Sequence, residues 1–207
     1  MRASRPHEQA LTRPPLPPRA QATADPSSGP GVSTAAAGGR AATALLYAAV
    51  VSVGLMAGLF FAYDISVMPG LAETGDITYA TAMQSFNSTI DSSGAFGLVF
   101  VGALVSSAGA ALAQYRAGRR ALGHLVAAAT VCYLVMLAVT MGVNIPLNEE
   151  LAAIGDPAAA GDLSVVDDFR ATWVATNIAR TALCVAALAL LTRACHLHGR
   201  GSSHPRR

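Results

Sequence analysis

Lysine is absent from this chain: all fourteen of its Lys/Arg residues are arginines. Charged residues of both signs make up 13% of the sequence, against roughly 25% in an ordinary soluble domain. That shortage argues against a water-facing helical fold, which needs charged outer faces at helical spacing. Aromatic residues are also few, at 6%, with a single tryptophan. The arginines lie scattered without aromatic interleaving, so a nucleic-acid partner is not expected. Cys132, Cys184 and Cys195 form no CxxC pair and no spaced ligand set. They read as small core hydrophobes. No Cys, His and carboxylate cluster has metal-ligand spacing, and no dinucleotide fingerprint occurs, so neither a metal nor an organic cofactor is expected. His196 and His198 follow the last apolar run and read as part of a solvated tail.

Apolar length is abundant. Hydrophobic residues reach 53% and gather in four runs, at residues 41–63, 94–115, 121–143 and 171–192. Each is long enough to cross a bilayer core, which takes about 20 residues. The expected fold is all-α, an integral membrane four-helix bundle at residues 41–192. Residues 1–40 are expected to be a disordered arm, because their Pro, Gly, Ser and Ala composition, including TRPPLPP at 12–18, buries too little to offset ordering entropy. Residues 193–207 form a basic tail. Arginines crowd the arm, the turn at Arg116, Arg119 and Arg120, and the tail, whereas residues 64–93 carry acidic residues and no basic one. Residues 144–170 are acidic apart from Arg170. The positive-inside rule then gives a multi-pass cell-membrane protein with both termini cytoplasmic and two acidic segments outside.

Those segments carry structure of their own. Asp76 reads as the N-cap of an amphipathic helix over 77–90, with Tyr79, Met83, Phe86 and Ile90 on one face and Gln84, Asn87 and Asp91 on another. Ser164 with Asp167 resembles a capping box, starting the last helix near Val165. Gly54 with Gly58, and Gly102, Ser106 and Ala110, have the spacing of close helix contacts in lipid.

The last run holds the sharpest feature. Trp173, Asn177 and Arg180 fall at i, i+4 and i+7 and share one helical face. A guanidinium at membrane depth costs roughly 2.5–3.5 kcal/mol on insertion scales and marks a site. Pro146 is expected to end the third helix and leave carbonyls near Met141 and Gly142 without donors. Those carbonyls, Asn144 and Asn148 are the expected partners of Arg180, and Asp64 closes the first run at the same end. By rise per residue, Trp173 and Arg180 stand roughly 10 Å apart along the axis, a gap that suits a ligand of two or three fused rings.

Asn144-x-Pro146-x-Asn148, followed by Trp173-x3-Asn177-x2-Arg180, resembles the signature of the anthrone oxygenase-like family of small four-helix membrane proteins. Gly58 followed by Val67-Met68-Pro69-Gly70-Leu71, and Met83-Gln84-x-x-Asn87, are similar to its first half. The resemblance implies a cofactor-free monooxygenase acting on a planar phenolic or anthrone-type substrate in an outer-leaflet pocket. Arg180, Asn177, Trp173, Asn144, Asn148 and Asp64 would be its site residues. An anthrone must lose a proton before its anion reacts with O2. Arg180 would then hold the oxyanion, Trp173 stack on the rings, Asn144 or Asn177 position an oxygen, and Asp64 or Glu149 take the proton. The same residues also read as a buried polar clasp in a non-enzymatic membrane binding or accessory protein, with Trp173 an interface anchor. Partners under either reading are the lipid bilayer and a hydrophobic small molecule. Reporter fusions test the topology: cytoplasmic at Gly118 and extracytoplasmic near Gly75 and Gly161, with a cytoplasmic signal at Gly161 contradicting it.

Overall fold

The computed structural model describes the backbone of residues 30–202 and the side chains of residues 38–200. Every described element is helical: α1 (Pro30–Ala62), a π turn (Tyr63–Val67), α2 (Met68–Ala72), α3 (Asp76–Ser92), α4 (Gly94–Arg116), α5 (Arg120–Val139), a second π turn (Thr140–Asn144), α6 (Ile145–Ala153) and α7 (Val165–Ser202). Four helical stretches are long and apolar enough to cross a membrane: Gly38–Ala72, Gly94–Arg116, Arg120–Ala153 and Val165–Arg200. The protein is an all-α membrane bundle.

α1 and α5 each pack against both α4 and α7, so they stand at opposite corners of a square. Leu46, Val53, Met56, Phe60, Phe100, Tyr133, Met136 and Leu191 fill its interior. The buried Tyr133 hydroxyl donates to the Phe100 carbonyl at 2.9 Å, which satisfies a polar group that lipid would leave unpaired. Outward, Val51, Leu98, Val101 and Val105 are exposed, the pattern of a surface made for hydrocarbon rather than water. Small residues permit close approach only in places. Ser106 and Ala110 are buried, and a Cβ on Gly54 would touch Leu188 at 3.8 Å, whereas Gly58 faces open space.

A second apolar cluster caps one end of the square: Met68, Tyr79, Met83, Leu151, Val166, Phe169 and Trp173. It is built where α2, α3 and α6 fold over α7. Tyr79, Ala80 and Met83 are buried along α3, as an amphipathic helix on the bundle's end requires, while Phe86 stays 38% exposed. Arg170 of α7 fastens α3. It bonds Asp76 Oδ1 at 3.0 Å and lies over the Tyr79 ring at 4.6 Å. Burial pushes the Tyr79 phenol above its ordinary pKa, and Arg170 partly offsets the push.

Several sequence expectations need correction. The third helix does not end at Pro146. The chain widens into a π turn at Thr140–Asn144, and Pro146 then falls in the first turn of α6. There a missing N–H costs little. The first helix does the same at Tyr63–Val67 before Pro69, with an identical step from π turn to proline. α1 begins at Pro30, ahead of residue 41, so the end of the presumed arm is helical; residues 1–29, including TRPPLPP, lie outside the described residues. Ala-rich sequence and a proline at the start suit a helix. The tail is helical to Ser202, and His198 within it bonds Thr43 and Arg119, each at 2.9 Å, so it is not simply solvated. Asp76 is the first residue of α3 rather than its N-cap, which is Gly75; its carboxylate serves Arg170 instead. α7 does start at Val165, without the capping box. Asp162 Oδ1 accepts the Ser164 N–H at 2.8 Å, and the Ser164–Asp167 link is between backbones at 3.2 Å. The hydrogen bond from the Ser164 backbone N–H holds the Asp162 carboxyl below its usual pKa.

Candidate functional site

The site forms where the π turns of the first and third spans meet α7. Asn177 is fully buried and Arg180 is 5% exposed. The Arg180 side chain leans back toward the helix N-terminus, as helical side chains do, and its Nη2 donates to Asn177 Oδ1 at 2.8 Å. Asn177 Nδ2 in turn donates to Asp64 Oδ1 at 2.5 Å and to the Phe60 carbonyl at 2.9 Å. Thr181, one turn further along α7, donates to Asp64 Oδ2 at 2.5 Å. A buried cation is therefore joined to a carboxylate through one neutral amide. Both Asp64 oxygens are occupied by that arrangement.

The remaining faces of Arg180 are aromatic. Its Cζ sits 4.5 Å from the Phe60 ring centre and 5.2 Å from that of Trp173. The expected 10 Å gap between Trp173 and Arg180 is thus closed by the arginine's own length. Trp173 is further enclosed by Tyr63 at 5.5 Å and by Phe169, stacked at 6.2 Å. Its indole N–H donates to Asn148 Oδ1 at 3.0 Å. Asn144 Nδ2 donates to Thr176 Oγ1 at 2.9 Å. Asn144 and Asn148 are therefore not the hydrogen-bond partners of Arg180 that the sequence suggested. Asn144 is engaged by Thr176 and Asn148 by Trp173, and Asn177 takes their place.

Beside this clasp lies a cavity of about 300 Å3. Its walls are mostly apolar, from Leu59, Phe60, Phe96, Phe100, Met141 and Ile145. Arg180, Asn177, Trp173, Asn144 and Asn148 all line it, and Asp64 does not. Three polar atoms of its wall residues are buried without a hydrogen-bond partner: Arg180 Nε, Asn144 Oδ1 and Asn87 Nδ2. An unpaired buried polar atom costs about 1–3 kcal/mol, so such a group of two donors and an acceptor around one apolar cavity is the mark of a ligand site. Sequence reasoning had set Asn87 and Asp91 on a polar face of α3 without bringing them to the site. Both line the cavity. The partners Thr176 and Thr181 were passed over; their spacing on the Asn177 helix was the available signal. Among the described residues no group of three His, Cys, Asp or Glu side chains gathers as metal ligands would.

Residues 93–190 match the family model for anthrone oxygenase. The matched stretch, just under half of the chain, is similar to anthrone oxygenase and supports an anthrone oxygenase-like assignment. The matched stretch contains Asn144, Asn148, Trp173, Asn177 and Arg180, so this family's segment supplies the α7 and α6 sides of the cavity, while Asp64, Asn87 and Asp91 fall outside it. No curated protein and no solved structure matches the chain.

The hydrogen-bond chain ranks the site's residues by structural weight. Asn177→Leu strands Arg180 Nη2, the Phe60 carbonyl and one Asp64 oxygen, and should cost roughly 2–4 kcal/mol. Asn144→Ala loses a single bond to Thr176 and should cost about 1 kcal/mol. Unfolding in detergent measures both; equal and small losses would show that Asn177 does not hold the bundle.

Proposed function

We propose that the protein catalyses cofactor-independent oxygenation of a planar phenolic or anthrone-type substrate bound in this cavity. The supporting observation is the trio of unpartnered atoms, Arg180 Nε, Asn144 Oδ1 and Asn87 Nδ2, in an otherwise apolar space of about 300 Å3. The family match adds the reaction class. A flat aromatic ketone fits that demand: apolar faces for the walls, and one oxygen for the donors.

Arg180 gives the chemistry its direction. Its charge is set in a low-dielectric wall and is joined to Asp64 only through Asn177. The cavity side therefore presents positive potential, which favours an oxyanion over its neutral parent. Loss of the ring CH2 proton spreads charge onto the carbonyl oxygen, where Arg180 and Asn87 stabilise it. The electron-rich anion then reduces O2. Trp173 and Phe60 fix the guanidinium rather than stack on the substrate, because their rings are already engaged. In this reading Asp64, Asn177 and Thr181 are positioning residues, and the clasp and the catalytic face are two sides of one assembly. The cap formed by α2, α3 and α6 lies at the outer surface of the cell membrane, with both termini cytoplasmic, and a hydrophobic substrate enters from the outer leaflet.

Oxygen uptake by purified, chelator-treated protein with an anthrone tests this. One O2 should be consumed per anthrone, faster than in empty detergent micelles. Arg180→Gln should lower the rate by about 10²-fold, the usual effect of removing one oxyanion donor. Uptake no faster than in empty micelles would overturn the proposal.

A further inference from the structure

Beside the first cavity lies a second, of about 580 Å3. α3 lines it with Gln84, Asn87, Ser88, Asp91 and Ser92, and α6 with Ile145, Asn148, Glu149 and Ala152. Both sets run i, i+3, i+4, i+7, and α3 adds i+8, so the space is a groove between two facing helical stripes. Gln84 Nε2 donates to the carbonyls of Leu151 at 2.8 Å and Gly155 at 3.1 Å, which pins α3 to the end of α6. Asn87, Asp91, Ile145 and Asn148 line both cavities and so form the partition between them.

Resting on the oxygenase reading, we propose that Asp91 is the proton acceptor of this site and that the polar groove is the outlet for its water. Among the described residues Asp91 is the only carboxylate lining the inner cavity. It makes no side-chain hydrogen bond or ion pair there, unlike Asp64, whose oxygens are both taken by Asn177 and Thr181. Glu149 lines only the groove. An exposed carboxylate on the partition touches substrate on one side and water on the other, as a general base must.

The step balances without a cofactor. Asp91 takes one proton from the ring CH2, and the carbanion's charge moves onto the oxygen held by Arg180 and Asn87. The carbanion gives its electron pair to O2, and a C–O bond forms. Loss of the second C–H proton breaks the O–O bond and leaves the carbon as C=O. Both protons end on the departing oxygen, which leaves as water through the groove. Carbon is oxidised by four electrons and O2 reduced by four, so CH2 plus O2 gives C=O plus H2O.

The titratable groups facing Asp91 are Arg180 and Tyr63 across the inner cavity and Glu149 across the groove; α4 presents Ser93, Phe96, Gly97 and Phe100, none of them titratable in the working range. Wild type, Asp91→Asn and Asp91→Glu, each purified as the full chain, are compared with an anthrone by oxygen uptake and by Trp173 fluorescence quenching. Asp91→Asn should bind and melt like wild type yet turn over at least about 10²-fold slower. Its residual rate should climb with pH as hydroxide takes over, and Asp91→Glu should recover part of the rate. An active wild type with an equally active Asp91→Asn overturns this assignment alone. An Asp91→Asn protein that melts early or no longer quenches also overturns it, since the residue then holds the site rather than reacts. An inactive wild type overturns the oxygenase reading, and this assignment with it.

Discussion

A single amide carries the polar interior. Asn177 accepts from Arg180 through its oxygen and donates from its nitrogen to Asp64 and to the Phe60 carbonyl. Within a bundle whose outer faces are apolar, the buried guanidinium has no water to fall back on, and the carboxylate beside it is half-buried. A direct Arg–Asp pair would cancel the charges. The amide between them satisfies both groups while keeping them apart, so positive potential survives on the cavity side. Thr181 completes the carboxylate's shell, and Phe60 with Trp173 encloses the cation.

The backbone makes that arrangement reachable. Each diagonal helix, α1 and α5, widens into a π turn where it meets the polar level of α7, and each turn is followed by a proline at the same step. π turns often mark functional sites because they redirect side chains and loosen the hydrogen-bond ladder. Here the Phe60 carbonyl, just ahead of the first π turn, is available to Asn177. Asn144, at the end of the second, is turned to Thr176 with its oxygen left toward the cavity wall. The helices then run on into α2 and α6, which roof the site.

The four spans and the polar face of the last one were legible in the sequence, because long apolar runs and a lone intramembrane arginine leave few alternatives. The amphipathic α3 was equally legible from its alternating faces. What failed was local backbone chemistry. Pro146 read as a helix stop because proline lacks a donor; nothing in the residues flanking it announces the one-residue register shift that makes the missing donor harmless. The pairing around Arg180 failed for a related reason. Helical spacing gives axial distance, but an arginine side chain spans more than a helical turn, so its guanidinium came to rest on Trp173 and Asn177 instead of across a gap. The role of α3 in the cavity depended on how a surface helix docks, which periodicity does not encode.

The account stands on the claim that Arg180, insulated from Asp64 by Asn177, gives the cavity a positive potential. A planar phenol of two or three fused rings, titrated by absorbance while bound, reads that potential directly. Bound to wild type, its pKa should fall by about 1–3 units, the range for an opposite charge close by, and the fall should vanish in Arg180→Gln. A pKa that is unchanged or raised on binding wild type, or lowered equally in Arg180→Gln, would contradict it.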